Sequence, residues 1–119
     1  MRSHASDASR KDGFAAVDNA AVLAGVRSLT IGTWTWVDGD GTLHMGPTAQ
    51  DFAAAFGLGG TDTAINAADV NGVALAAIQA LAAENEALAA HHAALETRLA
   101  ADADVVAELL ADERRTQRR

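Results

Sequence analysis

The sequence predicts a mainly α fold of the α+β class: a small domain of short helices with one β-hairpin, followed by a long coiled-coil helix. Three observations predict it. Alanine accounts for 30 residues against 29 larger apolar ones, which favours helix but leaves little area for a core. One short segment alternates apolar and polar residues around a Gly-Asp turn, and leucines recur every seven residues further on. We expect such a chain to bury more surface against partner subunits.

The first elements are short. Residues 1–13 are polar and show no period, so we expect them to be extended. The apolar spacing from Val22 to Leu29 predicts a helix, with Asp18 as its N-cap. This helix leads directly into the segment that alternates.

A β-hairpin is predicted over about residues 30–46. The stretch TIGTWTWV alternates apolar and polar residues, which is typical of a strand. DGDG at 38–41 is typical of a tight turn, and TLHMG would form the returning strand. Trp34 and Trp36 share one face, where packing against a neighbour is more common than sugar binding. The acidic turn lacks the further oxygen ligands of a calcium loop and its glutamate at the twelfth position, so no metal site is expected there.

The next helix is predicted in TAQDFAAAFG. Pro47 suits its first turn, Phe52 and Phe56 lie four apart on one face, and Gly57 stops it. A linker rich in Gly, Asp and Asn follows, and we place the end of this small domain at residue 70.

The last element is predicted to be a coiled-coil helix over residues 71–111 with a basic tail at 112–119. Its d positions hold Leu81, Leu88 and Leu95, and its a positions hold Ile78, Asn85, His92 and Leu99. We call these a and d positions the seam. Polar a residues cost stability and commonly fix register or strand number. The pattern weakens at Asp102, a d position. The arginines of the tail suit a solvated helix C-terminus better than a nucleic-acid contact.

Composition excludes several function classes. The chain has no cysteine, so disulfide frameworks and thiolate metal sites are absent. A net charge of -7 argues against general binding of nucleic acid or anionic membranes. No apolar run approaches the roughly 18 residues of a membrane span, so no membrane partner is expected.

Two separated motifs carry a more specific signal. Ser6, Asp7, Lys11 and Phe14 stand about forty residues ahead of HMGPTAQDFAAAFG at 44–57, and Gly72 through Gln79 follow. Together they resemble the C-terminal intramolecular chaperone auto-processing domain of phage tail spikes, tail fibres and endosialidases, the self-cleaving serine peptidase family S-seventy-four. The resemblance covers roughly residues 6–100. It departs from the family pattern at Met45, Thr48 and Ala80.

The resemblance implies a homotrimeric chaperone that helps an upstream fibre or spike chain to fold, during virion assembly in the host cytoplasm, and then cuts itself off. Residues 1–70 would be the chaperone and auto-processing domain, with residues 1–5 as a leader. Ser6 would be the nucleophile and Lys11 the base, and the Ala5–Ser6 bond would be cut. Asp7 and His44 are supporting candidates. Neither a metal nor an organic cofactor is implied.

Two other functions remain open at this point. One is a non-catalytic trimerisation or adaptor coiled coil that has lost cleavage; the other is a regulatory coiled coil whose arginine tail contacts acidic partners. Only five residues precede Ser6, so we expect a released or truncated domain, or a separate reading frame without its fibre. Cleavage by such a pair would also require a neutral lysine, because a protonated lysine cannot accept the serine proton.

Overall fold

The structure, a computed structural model, describes residues 5–119; the first four residues of the predicted leader lie outside this range. Of the described residues, 63% are helical, which confirms the predicted fold class. Its elements in order are a 3₁₀ turn Ala8–Arg10, α1 Asn19–Ser28, β1 Gly32–Trp34, β2 His44–Gly46, α2 Ala49–Phe56 and α3 Ala67–Gln117. The chain divides into two units, the first ending at Leu81 and the second beginning at Ala82.

Helix α1 begins where its cap predicts. The Asp18 carboxylate accepts a hydrogen bond of 3.1 Å from the Ala21 N–H, one of the amides that the first turn leaves unpaired. Leu23 is buried, and Val26 packs beside it. The predicted N-cap and apolar face of this helix are therefore confirmed.

The hairpin is present, but its strands are only three residues long. Gly32 lies opposite Gly46, and Trp34 lies opposite His44. The tight turn lies earlier than the predicted DGDG, because the Gly39 N–H donates to the Trp36 carbonyl at 3.2 Å. The acidic stretch then closes the loop, as the later turn residue Asp40 accepts from the Thr42 N–H at 2.9 Å.

Helix α2 is capped at both ends. Thr48 is the N-cap, with its hydroxyl accepting from the Asp51 N–H at 3.1 Å, so Pro47 precedes the cap instead of lying in the first turn. Gly57 ends the helix in the left-handed conformation, with φ at 62°, as predicted. The rings of Phe52 and Phe56 lie 5.0 Å apart.

The first unit has a small core. Its buried hydrophobic residues are Leu23, Phe52, Val73, Ala77 and Ala80. Helix α1 contacts α2 closely: a Cβ added to Gly25 would lie 2.7 Å from the Phe56 Cε1 atom. A hydrogen bond of 2.9 Å from Asn19 Nδ2 to Gln79 Oε1 links α1 to the first part of α3.

Helix α3 extends beyond both predicted bounds of the coiled-coil helix. It begins at Ala67 because the Asn66 side-chain oxygen accepts from the Ala68 N–H at 2.8 Å and so caps its first turn. It continues to Gln117, into the predicted basic tail. From residue 81 to residue 110 every residue is exposed, including the seam residues of the second unit.

Helix α3 also differs from the sequence expectation about membranes. It contains an 18-residue stretch of mean hydropathy 1.2, so by length and composition it could cross a membrane. The helix has no unbroken apolar run of that length, but its frequent alanines raise the mean hydropathy of a stretch that also contains polar residues. Core helices of globular proteins meet the same criterion, so this finding alone assigns no membrane role.

Candidate functional site

The Ser6 and Lys11 side chains contact each other. The Lys11 Nζ atom donates a hydrogen bond of 2.5 Å to the Ser6 Oγ atom. The five-residue separation becomes a contact because the intervening chain folds into the 3₁₀ turn Ala8–Arg10. Within it, the Arg10 and Lys11 amides donate to the Asp7 and Ala8 carbonyls, each at 3.1 Å. The structure therefore brings together the predicted nucleophile and the predicted base.

Asp7 is the residue that starts this turn. Its Oδ1 atom accepts from the Ser9 N–H at 2.9 Å and from the Ser9 hydroxyl at 2.8 Å. The Ser9 amide first, and then its hydroxyl, lower the pKa of the Asp7 carboxyl below the usual 3.8. The Asp7 side chain thus contacts Ser9, and its supporting role at the predicted pair stays a prediction. The sequence predicted Asp7 as a supporting residue without identifying this turn.

The surroundings of the pair decide what it can do chemically. Ser6 and Lys11 are both exposed in the single chain. An ammonium that donates to a hydroxyl holds that hydroxyl in place but cannot remove its proton, because only the neutral amine is a base. The contact therefore aligns the predicted nucleophile with the predicted base, and such a pair would require a drier environment to react.

His44 lies elsewhere, in β2. Its ring is stacked on Trp34, with centroids 4.7 Å apart and planes at 25°. Trp36 meets the Trp34 ring edge-on at 4.9 Å. Among the described residues, no hydrogen bond joins His44 to Ser6 or Lys11. These contacts give His44 a place in the aromatic cluster of the hairpin, while its supporting role at the site stays a prediction.

An open cleft of about 650 Å³ adjoins the hairpin. Trp34 and Trp36 line it together with Pro47, the first residues of α2, and residues 63–65 of the linker. The sequence signalled the paired tryptophans but not the cleft, because the linker is far away along the chain. Over residues 5–119 no group of three or more His, Asp or Glu side chains is arranged to hold a metal ion.

One comparison with known proteins agrees with the resemblance found in the sequence. Residues 6–59 match the family model described as chaperone of endosialidase, a family named for a peptidase. No curated protein and no solved structure matches the chain. The matched stretch begins at Ser6 and ends shortly after α2, so the run from Gly72 to Gln79, which also carries the resemblance, lies beyond it. The segment from residue 6 to residue 59 is therefore similar to the chaperone of endosialidase family.

Proposed function

We propose that this chain is an intramolecular chaperone that assists trimerisation and folding of a phage-type tail fibre or spike and releases itself by autoproteolysis at Ser6. The observation that carries the proposal is the hydrogen bond between Lys11 Nζ and Ser6 Oγ, inside the stretch that matches the family model. The family description supports the chaperone role. The upstream cargo chain and the cleavage at Ser6 go beyond that description and are proposed here.

The identity of the basic residue supports a catalytic role. Lys11 is the only lysine of the chain, whereas the other eight basic residues are arginines. A guanidinium stays protonated in proteins, so an arginine cannot accept a proton from serine. Among the lysine and arginine side chains, the one that contacts the Ser6 hydroxyl is thus the only one that can become a general base.

The proposed cleavage begins with the serine that follows the bond to be cut. Ser6 Oγ attacks the Ala5 carbonyl carbon, and the neutral Lys11 amine takes the hydroxyl proton. The Ala5–Ser6 C–N bond then breaks as that proton passes to the Ser6 nitrogen, which leaves an ester between the Ala5 carbonyl and Ser6 Oγ. Water hydrolyses this ester to give a carboxyl group at Ala5 and a free amine at Ser6. No cofactor is needed.

Assembly is proposed to activate the pair. Exposed leucines of the seam, such as Leu88 and Leu95 at 64% and 50%, leave an apolar stripe that three parallel helices would cover. Burial of the N-terminal turn by neighbouring subunits would favour the neutral amine, since desolvation disfavours charge. Cleavage would then follow correct assembly.

The proposal is tested with a folded tag fused ahead of residue 1. The wild-type fusion should lose the tag during expression, and intact mass should place the new N-terminus at Ser6. The Ser6→Ala and Lys11→Arg variants should stay full length, because each lacks one member of the pair, and both should keep the wild-type oligomer. Arg10→Ala, which removes the neighbouring cation, is the matched control and should still be cleaved.

Other outcomes would change the proposal. Hydroxylamine should accelerate tag loss if the ester forms, because it attacks esters faster than amides. A tag that remains attached to a fully assembled wild-type trimer would favour the non-catalytic adaptor. Cleavage that persists in Ser6→Ala would rule out the serine–lysine pair.

A further inference from the structure

One seam position of the second unit holds an imidazole between two leucines. His92 follows Leu88 by four residues and precedes Leu95 by three, so all three lie on one stripe of α3. Its side chain is 75% exposed in the single chain, and its Nε2 atom lies 3.1 Å from the Glu96 Oε1 atom. The stripe is otherwise apolar over this stretch, so the ring needs a polar partner once the seam is covered.

We propose that three His92 side chains, one from each chain of the trimer, bind one transition-metal ion of the zinc class on the trimer axis. This inference rests on the proposed trimer. In a parallel coiled coil, equivalent a positions of all chains meet in a single layer. Three neutral imidazoles are a sufficient protein ligand set for Zn²⁺, with the fourth position left to water.

The site would be incomplete in one chain. The described residues of a single chain contain no group of three side chains able to hold a metal, and the proposed site therefore draws one ligand from each of three copies. Leucine layers at positions 88 and 95 would limit the access of bulk water to the imidazoles, apart from the one water that completes the coordination of the ion. Ligation would satisfy ring nitrogens that are costly to bury without a partner.

Glu96 fits the role of an outer partner. Metal-ligating histidines usually donate the ring N–H that faces away from the metal to a carboxylate. In the single chain the Glu96 carboxylate already contacts the His92 ring. It lies one turn further along the helix, where it can accept that N–H after the ring turns into the seam.

His91 provides a matched control within the same chain. It is the adjacent histidine, and at a g position it lies about 100° around the helix from His92. The same metal-binding side chain is therefore present one residue away, but outside the layer in which three copies meet.

The experiment uses the full chain, stripped of metal with EDTA, at micromolar concentration. Light scattering should give a trimer, and calorimetric titration with ZnCl₂ should give one ion per three chains. Zinc should also raise the midpoint of thermal unfolding. His92→Leu should still form a trimer, because leucine suits the seam, but should lose this stoichiometry and this shift. His91→Ala should keep both.

Each alternative result overturns the inference in a recognisable way. A wild-type trimer that binds no zinc removes the metal site and leaves the proposed function standing. Zinc binding that survives in His92→Leu, or that disappears in His91→Ala, assigns the ion to other ligands. A chain that stays monomeric or dimeric with and without zinc removes the trimer, and with it both proposals.

Discussion

The two units of this chain differ in what stabilises them. Among residues 5–119, the five buried hydrophobic residues all belong to the first unit, which ends at Leu81. The second unit, from Ala82 onward, is a continuation of α3 in which no residue is buried. The first unit therefore has a core of its own, whereas the second unit is a single helix with no other element to pack against inside that unit.

The helices of the two units are accordingly favoured by different features of their sequences. In the first unit, short helices depend on caps and on a few side chains such as Phe52, which is only 4% exposed. In the second, alanine and charged residues maintain a helix by propensity, and leucines stay exposed. Packing of these exposed leucines would add to the stability that propensity gives the helix, whereas the first unit already packs a core of its own.

The largest expected effect comes from a charge in the seam of the second unit. Leu88→Asp would place three carboxylates in one apolar layer of the proposed trimer, where desolvation and mutual repulsion are costly. We expect the trimer to be lost, as measured by sedimentation. Ala87→Asp, a neighbouring position outside the seam, should leave assembly intact. A trimeric Leu88→Asp variant would contradict the seam.

The next effect comes from the core of the first unit. Phe52→Ala removes the least exposed ring and should lower the free energy of unfolding by about 3–5 kcal/mol, as measured with denaturant. Val37→Ala is the control, because Val37 is 99% exposed, and it should change stability by less than about 0.5 kcal/mol. Equal effects of the two substitutions would contradict the proposed difference between core and surface.

Replacing glycine by alanine should change the free energy of unfolding in opposite directions at two helical positions. Gly25→Ala places a methyl group 2.7 Å from Phe56 Cε1, and forced packing of this size costs about 1–3 kcal/mol, enough to offset the gain in helix propensity. Gly72→Ala meets nothing within 4 Å and should stabilise by about 0.5–1 kcal/mol. Unfolding midpoints of both variants test this. Stabilisation by both would mean that α1 and α2 pack less closely.

The smallest effect concerns the N-terminal turn and pH. The pKa of Asp7 is lowered below 3.8, so its contribution to the turn is complete above that value and is lost as the pH falls through the lower folded pKa. A carboxyl titration followed by NMR should show this lowered pKa. Ser9→Ala removes the hydroxyl donor and should bring the pKa part of the way back. An unchanged pKa in that variant would show that the hydroxyl does not contribute.

The sequence by itself determined the features that depend on neighbouring residues. Asp18 begins one helix and Gly57 ends another through local capping and backbone conformation, and the motif beginning at Ser6 indicated the family resemblance before any contact was known. Such features are readable because each cause lies within a few residues of its effect.

Tertiary structure decided what depends on which side chains meet. The contact between Ser6 and Lys11 follows from a turn held by Ser9, and the placement of His44 follows from a tryptophan on the opposite strand. Helix α3 begins earlier than its apolar period indicates, because Asn66 caps it. Sequence spacing limits which residues can come into contact. Which of them do so depends on competing hydrogen bonds, ring stacking and burial, and these involve residues from the whole folded chain.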